Sequence, residues 1–113
     1  MAAPALTDVQ IASELTTLPG WQHEKGALRR TYQTDGWPTT LMLVNAIGFI
    51  AEAADHHPEL AVSWGKVEVS LWTHSAGGIT SKDVALARAV EKAALWRPDG
   101  WKGTGKRWVS AED

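Results

Sequence analysis

The segment KVEVSLWTH, residues 66–74, contains the clearest strand pattern in this chain of 113 residues. Val67, Val69 and Leu71 alternate with polar or aromatic neighbours, and a period of two is typical of a strand with one buried face. His74 falls in the opposite, non-core set of the alternation. The pattern therefore predicts a half-buried strand whose second face is available for chemistry.

Three more strands are predicted upstream, at residues 21–24, 27–33 and 60–62. Lys25-Gly26 supplies the turn of a hairpin between the first two. Arg30 is the irregular member of the second strand, because it falls between Leu28 and Tyr32 on one face.

Capping residues and apolar spacing predict three helices, which begin after Thr7, near Pro38 and after Thr80. The first is expected to stop at Pro19-Gly20. The second runs to about Asp55 and is apolar nearly all round, so it needs cover on more than one side. A second subunit supplies such cover most easily, which predicts an oligomer. The order α-β-β-α-β-β-α predicts an α+β fold, with an antiparallel sheet and helices on one side.

Length and composition limit the class of protein. The size fits one domain, and the net charge of -2 gives no general attraction to nucleic acid. Without cysteine there are neither disulfides nor thiolate metal sites. The N-terminus lacks a secretory pattern, and the longest apolar stretch, near residues 41–54, is too short and interrupted to span a bilayer. We expect a soluble cytoplasmic protein.

Three of the four histidines lie in one short part of the chain, between Glu52 and Asp83. The notable residues, in order, are Glu52, Asp55, His56, His57, Pro58, Trp64, His74 and Asp83. Imidazole titrates nearest neutral pH, so the cluster favours either acid–base chemistry or metal binding. Glu52 lies one helical turn before His56 and is a candidate to hold an imidazole tautomer. Asp83 is a candidate to do the same for His74.

Each residue of this cluster also has a structural explanation. Asp83 comes three residues after Thr80, where a carboxylate caps a helix, and His56-His57-Pro58 suits the end of one. Trp64 suits packing. The joint occurrence favours function, because independent structural needs have no reason to generate the whole spaced set.

The run from Glu52 to Pro58, followed by Trp64, Thr73-His74 and Thr80 with Asp83, resembles the pterin-4a-carbinolamine dehydratases over about residues 6–95. The resemblance implies a four-stranded antiparallel sheet with three helices on one face, assembled as dimers or tetramers. It also implies loss of water from 4a-hydroxytetrahydropterin to give quinonoid dihydropterin, a step of tetrahydrobiopterin recycling. No metal and no other cofactor is implied.

By the same resemblance, His56, His57 and His74 are the candidate catalytic residues. His57 and His74 are the better candidates for direct proton transfer, while His56 orients the substrate or assists as an acid. Which histidine is the acid and which the base stays open. The supporting residues are Glu52, Asp55, Pro58, Trp64 and Asp83. Two residues depart from the family, which commonly has phenylalanine at the position of Trp37 and an aromatic residue at the position of Leu43.

Beyond a domain of residues 1–95, residues 96–113 form a predicted basic tail that holds three of the seven tryptophans. Tryptophan with arginine is favoured at protein-binding surfaces. Either this tail covers its own domain or a neighbouring subunit, or its Trp96–Trp108 segment docks onto a protein partner. Nucleic acid is disfavoured, because acidic residues partly counter the cations.

Two classes of function follow from these observations. The first is the dehydratase. The second is a non-catalytic relative that binds or assembles other proteins. Dehydratase-like proteins encoded with carboxysome components, associated with RuBisCO assembly, resemble this domain, and animal relatives are dimerisation cofactors of a transcription factor. In the second case the protein is expected at the carboxysome.

Overall fold

The computed structural model describes residues 3–97 and 109–110. In chain order its helices and strands are α1 (Asp8–Leu15), β1 (Gln22–Glu24), β2 (Ala27–Thr34), α2 (Trp37–Ala54), β3 (Glu59–Ser63), β4 (Lys66–Leu71), α3 (Ser81–Ala94) and β5 (Val109–Ser110). The predicted order of three helices and four strands is confirmed. The two-residue strand β5 is an addition that the sequence did not predict.

The strands form one antiparallel sheet in the order β1-β2-β4-β3. The central pair, β2 and β4, sets Tyr32 opposite Val67 and Leu28 opposite Leu71. On the other side of β4, Leu60 of β3 lies opposite Val69. Strand β5 pairs with the last two residues of β2. Residues opposite each other in antiparallel strands point to the same face, so these apolar pairs build one continuous surface.

That surface carries the core. Val67, Val69 and Leu71 are fully buried, and they belong to one apolar cluster with Ile47 of α2 and Val90 of α3. The apolar residues of the alternation in residues 66–74 therefore lie on the helix-covered face of the sheet, as predicted. The α+β class with helices packed on one face is confirmed.

Local capping chemistry sets several of the element boundaries. The Thr7 side chain accepts the backbone N–H of Gln10, and the Gln10 side chain accepts the N–H of Thr7, which completes the capping box. Helix α1 then ends at Leu15, earlier than the expected stop at Pro19-Gly20. In the hairpin, Lys25 and Gly26 both have positive φ, as a two-residue turn between twisted strands requires.

Helix α2 leaves part of its apolar surface uncovered. Leu41, Met42 and Phe49 are 42%, 56% and 76% exposed. These three residues form the outer apolar face of α2, in contrast to Ile47 and Leu43, which are buried on its inner side. In the described part of the chain, no helix, α2 included, has the length and hydropathy to cross a membrane.

The buried cation on the apolar face of β2 has a specific partner. Arg30 is 2% exposed, and its Nε lies 3.3 Å from Oε1 of Glu91 on α3. The same oxygen accepts hydrogen bonds from Trp21 Nε1 at 2.9 Å and from the Tyr32 hydroxyl at 2.5 Å. Burial, followed by the bond to Glu91, raises the pKa of the Tyr32 hydroxyl well above its ordinary value. This Glu91 cluster explains how β2 tolerates an arginine at an inward position.

Candidate active site

A buried carboxylate and a histidine form the centre of the site. Asp83 lies in the first turn of α3 and is fully buried, while the His56 side chain is 14% exposed. His56 Nε2 lies 2.6 Å from Asp83 Oδ1. Such a short contact between an imidazole and a carboxylate is a charge-assisted hydrogen bond. The imidazole is therefore held by a group that fixes its orientation.

The second oxygen of Asp83 is also occupied. Oδ2 accepts the Thr73 hydroxyl at 2.8 Å and the backbone N–H of Thr80 at 2.9 Å. The structural explanation of Asp83 as a helix-capping residue is thus confirmed, because Thr80 and Asp83 complete a capping box. The expectation that Asp83 holds His74 is wrong. Its imidazole partner is His56, since Oδ2 is used by the cap and by Thr73.

Glu52 also binds a different histidine from the one its spacing predicted. His57 Nε2 lies 2.8 Å from Glu52 Oε1, and both side chains are largely exposed. The four-residue spacing to His56 assumed a continuous helix, but α2 ends at Ala54. Asp55 then adopts a left-handed conformation with φ of 51°, which turns the chain out of the helical path. That turn moves the partner of Glu52 one residue along, to His57.

His74 lies just beyond the strand that predicted its position. Strand β4 ends at Leu71, and His74 begins a 3-10 turn that ends at Ala76. Assigning His74 to the non-core face of a strand was therefore wrong. Its side chain is exposed, and its ring centroid lies 5.1 Å from that of Trp72, with the planes tilted by 55°.

Sheet topology brings these segments to one end of the molecule. Strands β3 and β4 are antiparallel, and Glu59 at the start of β3 lies opposite Ser70 near the end of β4. The residues just before β3 are His56, His57 and Pro58, and those just after β4 lead to His74. Asp83 bridges the two segments, because it binds both His56 and Thr73, the neighbour of His74.

Trp64 is separated from this cluster. It follows β3 at the opposite end of the β3–β4 hairpin, which is five residues, or roughly 16 Å, away from the histidines. Its indole packs beside Gly36, and its carbonyl oxygen accepts the Thr40 hydroxyl at 2.8 Å. Trp64 is nevertheless 68% exposed, so a single chain does not bury it as the packing explanation expected. Pro58, by contrast, lies directly between His57 and the start of β3.

A cavity opens beside His56. It has a volume of about 240 Å³ and lies between α2 and α3. Its lining consists of Ile50, Ala54, His56, Lys82, Ala85, Leu86 and Ala89. His56 therefore separates the buried Asp83 from an open, largely apolar space. Across residues 3–97 and 109–110, no group of three or more histidines and carboxylates is arranged to hold a metal ion.

Sequence reasoning missed two contributors to this site. Thr73 was predicted only as an inward residue of the strand and as the neighbour of His74, yet its hydroxyl bonds both Asp83 and the Thr80 hydroxyl. Lys82 also lines the cavity with His56, and no motif of the sequence singles it out. A signal for Thr73 did exist, because a polar residue occupies an inward position of the 66–74 alternation, where valine or leucine is usual.

Fold and site together define an α+β protein with a histidine–carboxylate site suited to proton transfer. The family model described as pterin 4 alpha carbinolamine dehydratase matches residues 4–93. The chain belongs to this family.

Relatives agree over most of the domain. A protein of Aquifex aeolicus (strain VF5) is 44% identical over 87 residues, which cover 77% of this chain and 88% of that relative. One from Nocardia farcinica (strain IFM 10152) is 39% identical over 94 residues, or 83% and 99% of the two chains. Both are provisionally named pterin-4-alpha-carbinolamine dehydratases.

A solved structure has the same fold. It is the crystal structure of a transcriptional coactivator/pterin dehydratase from Brucella melitensis, with a TM-score of 0.74 and 31% sequence identity. The match covers 77% of this chain and 95% of that one.

The predicted tail of residues 96–113 lies mostly outside the described residues. Trp96 is 64% exposed at the end of α3. The Arg97 guanidinium donates a hydrogen bond of 2.7 Å from Nη2 to the carbonyl oxygen of Val109, which precedes Ser110 in β5. Val109 and Ser110 therefore belong to the chain's own sheet, and Arg97 is bound to Val109. Docking of the tail onto a partner stays a prediction.

Proposed function

We propose that this protein is a hydro-lyase that converts 4a-hydroxytetrahydropterin to quinonoid dihydropterin by histidine acid–base catalysis. The observation that carries the proposal is the pairing of His56 with the fully buried Asp83, inside a chain that belongs to the dehydratase family. A carboxylate that is kept out of water and binds an imidazole through one oxygen is a common arrangement in proton-transfer enzymes.

The reaction needs two proton transfers. The C4a–O bond breaks as the departing hydroxyl takes up a proton and leaves as water, and N5 loses its proton as the C4a–N5 double bond forms. Imidazoles suit both tasks, because an effective catalytic acid or base titrates near the working pH. We assign the direct transfers to His57 and His74, with His56 orienting the substrate or assisting the acid.

The supporting contacts differ in strength between the histidines. His56 is held by a buried carboxylate, whereas His57 is held by Glu52, whose side chain is 81% exposed. Water screens an exposed pair, so Glu52 contributes less to orientation than Asp83 does. We therefore expect His57 to be the more mobile of the two adjacent imidazoles.

The direct test is dehydration of 4a-hydroxytetrahydropterin by the purified full-length protein. We expect acceleration over the uncatalysed rate, and a loss of about 100-fold to 10,000-fold in His57→Ala and in His74→Ala. His23→Ala is the matched control, because His23 is exposed on β1, which β2 separates from the β3–β4 hairpin. If the wild-type protein does not accelerate the reaction, the proposed dehydratase function is refuted. Normal turnover in both variants would refute the site assignment.

We also propose that the protein works as a homodimer or homotetramer. The supporting observation is the outer apolar face of α2, formed by Leu41, Met42 and Phe49. Three large apolar side chains exposed on one helix favour burial against another subunit. A copy of the same helix is the simplest partner, because a two-fold interface sets one patch against itself.

A second candidate function is protein binding, for example in carboxysomal RuBisCO assembly. Two observations favour it. The family match ends at residue 93, so Trp96 and the residues after it extend beyond the domain. In addition, the Brucella melitensis protein of the same fold carries coactivator and dehydratase in one name.

Co-sedimentation with purified RuBisCO separates the two candidates. The binding function predicts co-sedimentation that weakens in Trp96→Ala, together with no dehydration above the uncatalysed rate. Absence of co-sedimentation at micromolar concentrations would reject this partner. The protein is expected at the carboxysome only if binding to RuBisCO is observed.

A further inference from the structure

We propose that Thr73 is a positioning residue that fixes the tautomer of His56 through Asp83. The contacts form a continuous chain from Thr80 through Thr73 and Asp83 to His56, hereafter the Thr80–His56 chain. The consequence for turnover rests on the dehydratase function proposed above. The orientation of the imidazole does not, and is measured separately.

The direction of each hydrogen bond follows from counting protons. A hydroxyl has a single proton to donate, and Thr73 donates it to Asp83 Oδ2 at 2.8 Å. The contact of 2.9 Å between the Thr73 and Thr80 hydroxyl oxygens must then use the proton of Thr80. The chain therefore runs from Thr80 to Thr73 to the carboxylate. All its donors point toward the negative charge.

The same proton count fixes the tautomer of His56. An ionised carboxylate only accepts hydrogen bonds, so the contact of 2.6 Å at Asp83 Oδ1 requires a proton on His56 Nε2. Neutral His56 is therefore the Nε2–H tautomer. Among the described residues, no hydrogen bond engages its Nδ1. Any proton that His56 exchanges with a ligand passes through Nδ1.

Burial leaves this arrangement without a good alternative. Asp83 and Thr80 are fully buried, and Thr73 is 7% exposed, so water does not replace a lost partner easily. If the Thr73 hydroxyl is removed, Oδ2 keeps only the N–H of Thr80. The carboxylate is then expected to rotate, because a buried charge that lacks hydrogen bonds is costly in free energy. Rotation would take Oδ1 away from His56 and release the tautomer.

The position of Thr73 links two of the candidate catalytic segments. It is the residue before His74, and its hydroxyl contacts the carboxylate that holds His56. One side chain thus ties the segment after β4 to the segment after α2. Because orientation of reacting groups contributes strongly to rate, a hydroxyl that touches no substrate still affects turnover.

The test is nitrogen NMR of histidine-labelled full-length protein, recorded with the imidazoles neutral. In the wild type we expect His56 as the Nε2–H tautomer. In Thr73→Val, which has the same shape but no hydroxyl, we expect a mixture of tautomers. Thr73→Ser keeps the hydroxyl and should restore the wild-type pattern. Thr39→Val is the matched control, because Thr39 is a buried threonine whose hydroxyl donates to Asp35.

Turnover supplies the second measurement. We expect kcat to fall on the order of 10-fold to 100-fold in Thr73→Val, the loss seen when partners behind metal-binding histidines are removed, with KM little changed. Thr73→Ser should recover most of it. An inactive wild-type protein would refute the proposed dehydratase function, but the NMR test would still apply.

Two results would overturn the positioning role. One is a wild-type His56 found as the Nδ1–H tautomer, which needs no variant and so holds even if Thr73→Val fails to fold. The other is a folded Thr73→Val protein whose His56 nitrogen signals match those of the wild type.

Discussion

Replacing Tyr32 with phenylalanine tests the buried Glu91 cluster. The Tyr32 hydroxyl donates a bond of 2.5 Å to Glu91 Oε1, which also accepts from Trp21 and Arg30. A hydrogen bond to a charged group contributes about 1.5–3 kcal/mol to stability. Since Glu91 keeps its other two donors, we expect Tyr32→Phe to lower the free energy of unfolding by about this amount near pH 7. The fall in Tm should be about 4 °C per kcal/mol.

The pH dependence of this difference has a definite sign. Burial and the bond to Glu91 raise the pKa of Tyr32 in the folded state above its ordinary value. Above about pH 10 the unfolded chain loses the tyrosine proton while the folded protein keeps it, so the unfolded state binds fewer protons. Stability from this group is complete below that pH and falls by about 1.4 kcal/mol per unit above it. Tyr32→Phe lacks this pH-dependent contribution. The difference in free energy of unfolding between the wild type and Tyr32→Phe should therefore be smaller by about 1.4 kcal/mol at about pH 11 than near pH 7.

Urea unfolding followed by tryptophan fluorescence, at several pH values from neutral to alkaline, measures the stability difference and its dependence on pH. Lysine titration is common to the two proteins and cancels in the comparison. Tyr32 is the only tyrosine of the chain, so tyrosinate absorbance reports on it directly. Parallel stability profiles for wild type and Tyr32→Phe, or ionisation of folded Tyr32 at its ordinary pKa, would refute the reasoning.

Three further changes test other parts of the structure. Gly36→Ala should destabilise the fold by about 1–3 kcal/mol, because φ is 143° and a Cβ would lie 3.3 Å from the Trp64 ring; thermal melting checks this, and an unchanged Tm would contradict it. Phe49→Asp should reduce the mass measured by light scattering, whereas Val9→Asp, at a residue 80% exposed on α1, should not; equal masses would reject the α2 interface. Val109→Pro should remove β5 and speed amide exchange at the end of β2, and unchanged exchange would show that the pairing is dispensable.

Local patterns predicted the elements well, because the physics that sets them is local. Alternation along residues 66–74 identified the buried face of β4, and Thr7 and Thr80 marked helix starts through capping that spans three residues. Strand β5 was missed because its two residues carry no periodic signal. Its pairing with β2 depends on a long-range contact.

Site partners were harder to predict than site residues. The candidate histidines and carboxylates lie at one end of the sheet, but both expected pairs were wrong. Glu52 binds His57 because Asp55 turns the chain out of the helix, and Asp83 binds His56 because its other oxygen is used by Thr73 and Thr80. Spacing along a chain gives the pairs of an ideal helix. It does not describe what happens one residue past its end.

By itself, the sequence determined the α+β class and the family, and it showed that three of the four histidines lie close together along the chain. Those properties depend on residue types and short spacings, which a single chain displays directly. Only the tertiary structure decided that the buried Asp83 binds His56, that Thr73 donates a hydrogen bond to this carboxylate and that Trp64 lies at the other end of the β3–β4 hairpin. The reason is that hydrogen bonds between elements depend on how antiparallel strands and helix ends meet in space. Residues 27 positions apart are brought to 2.6 Å by that arrangement alone.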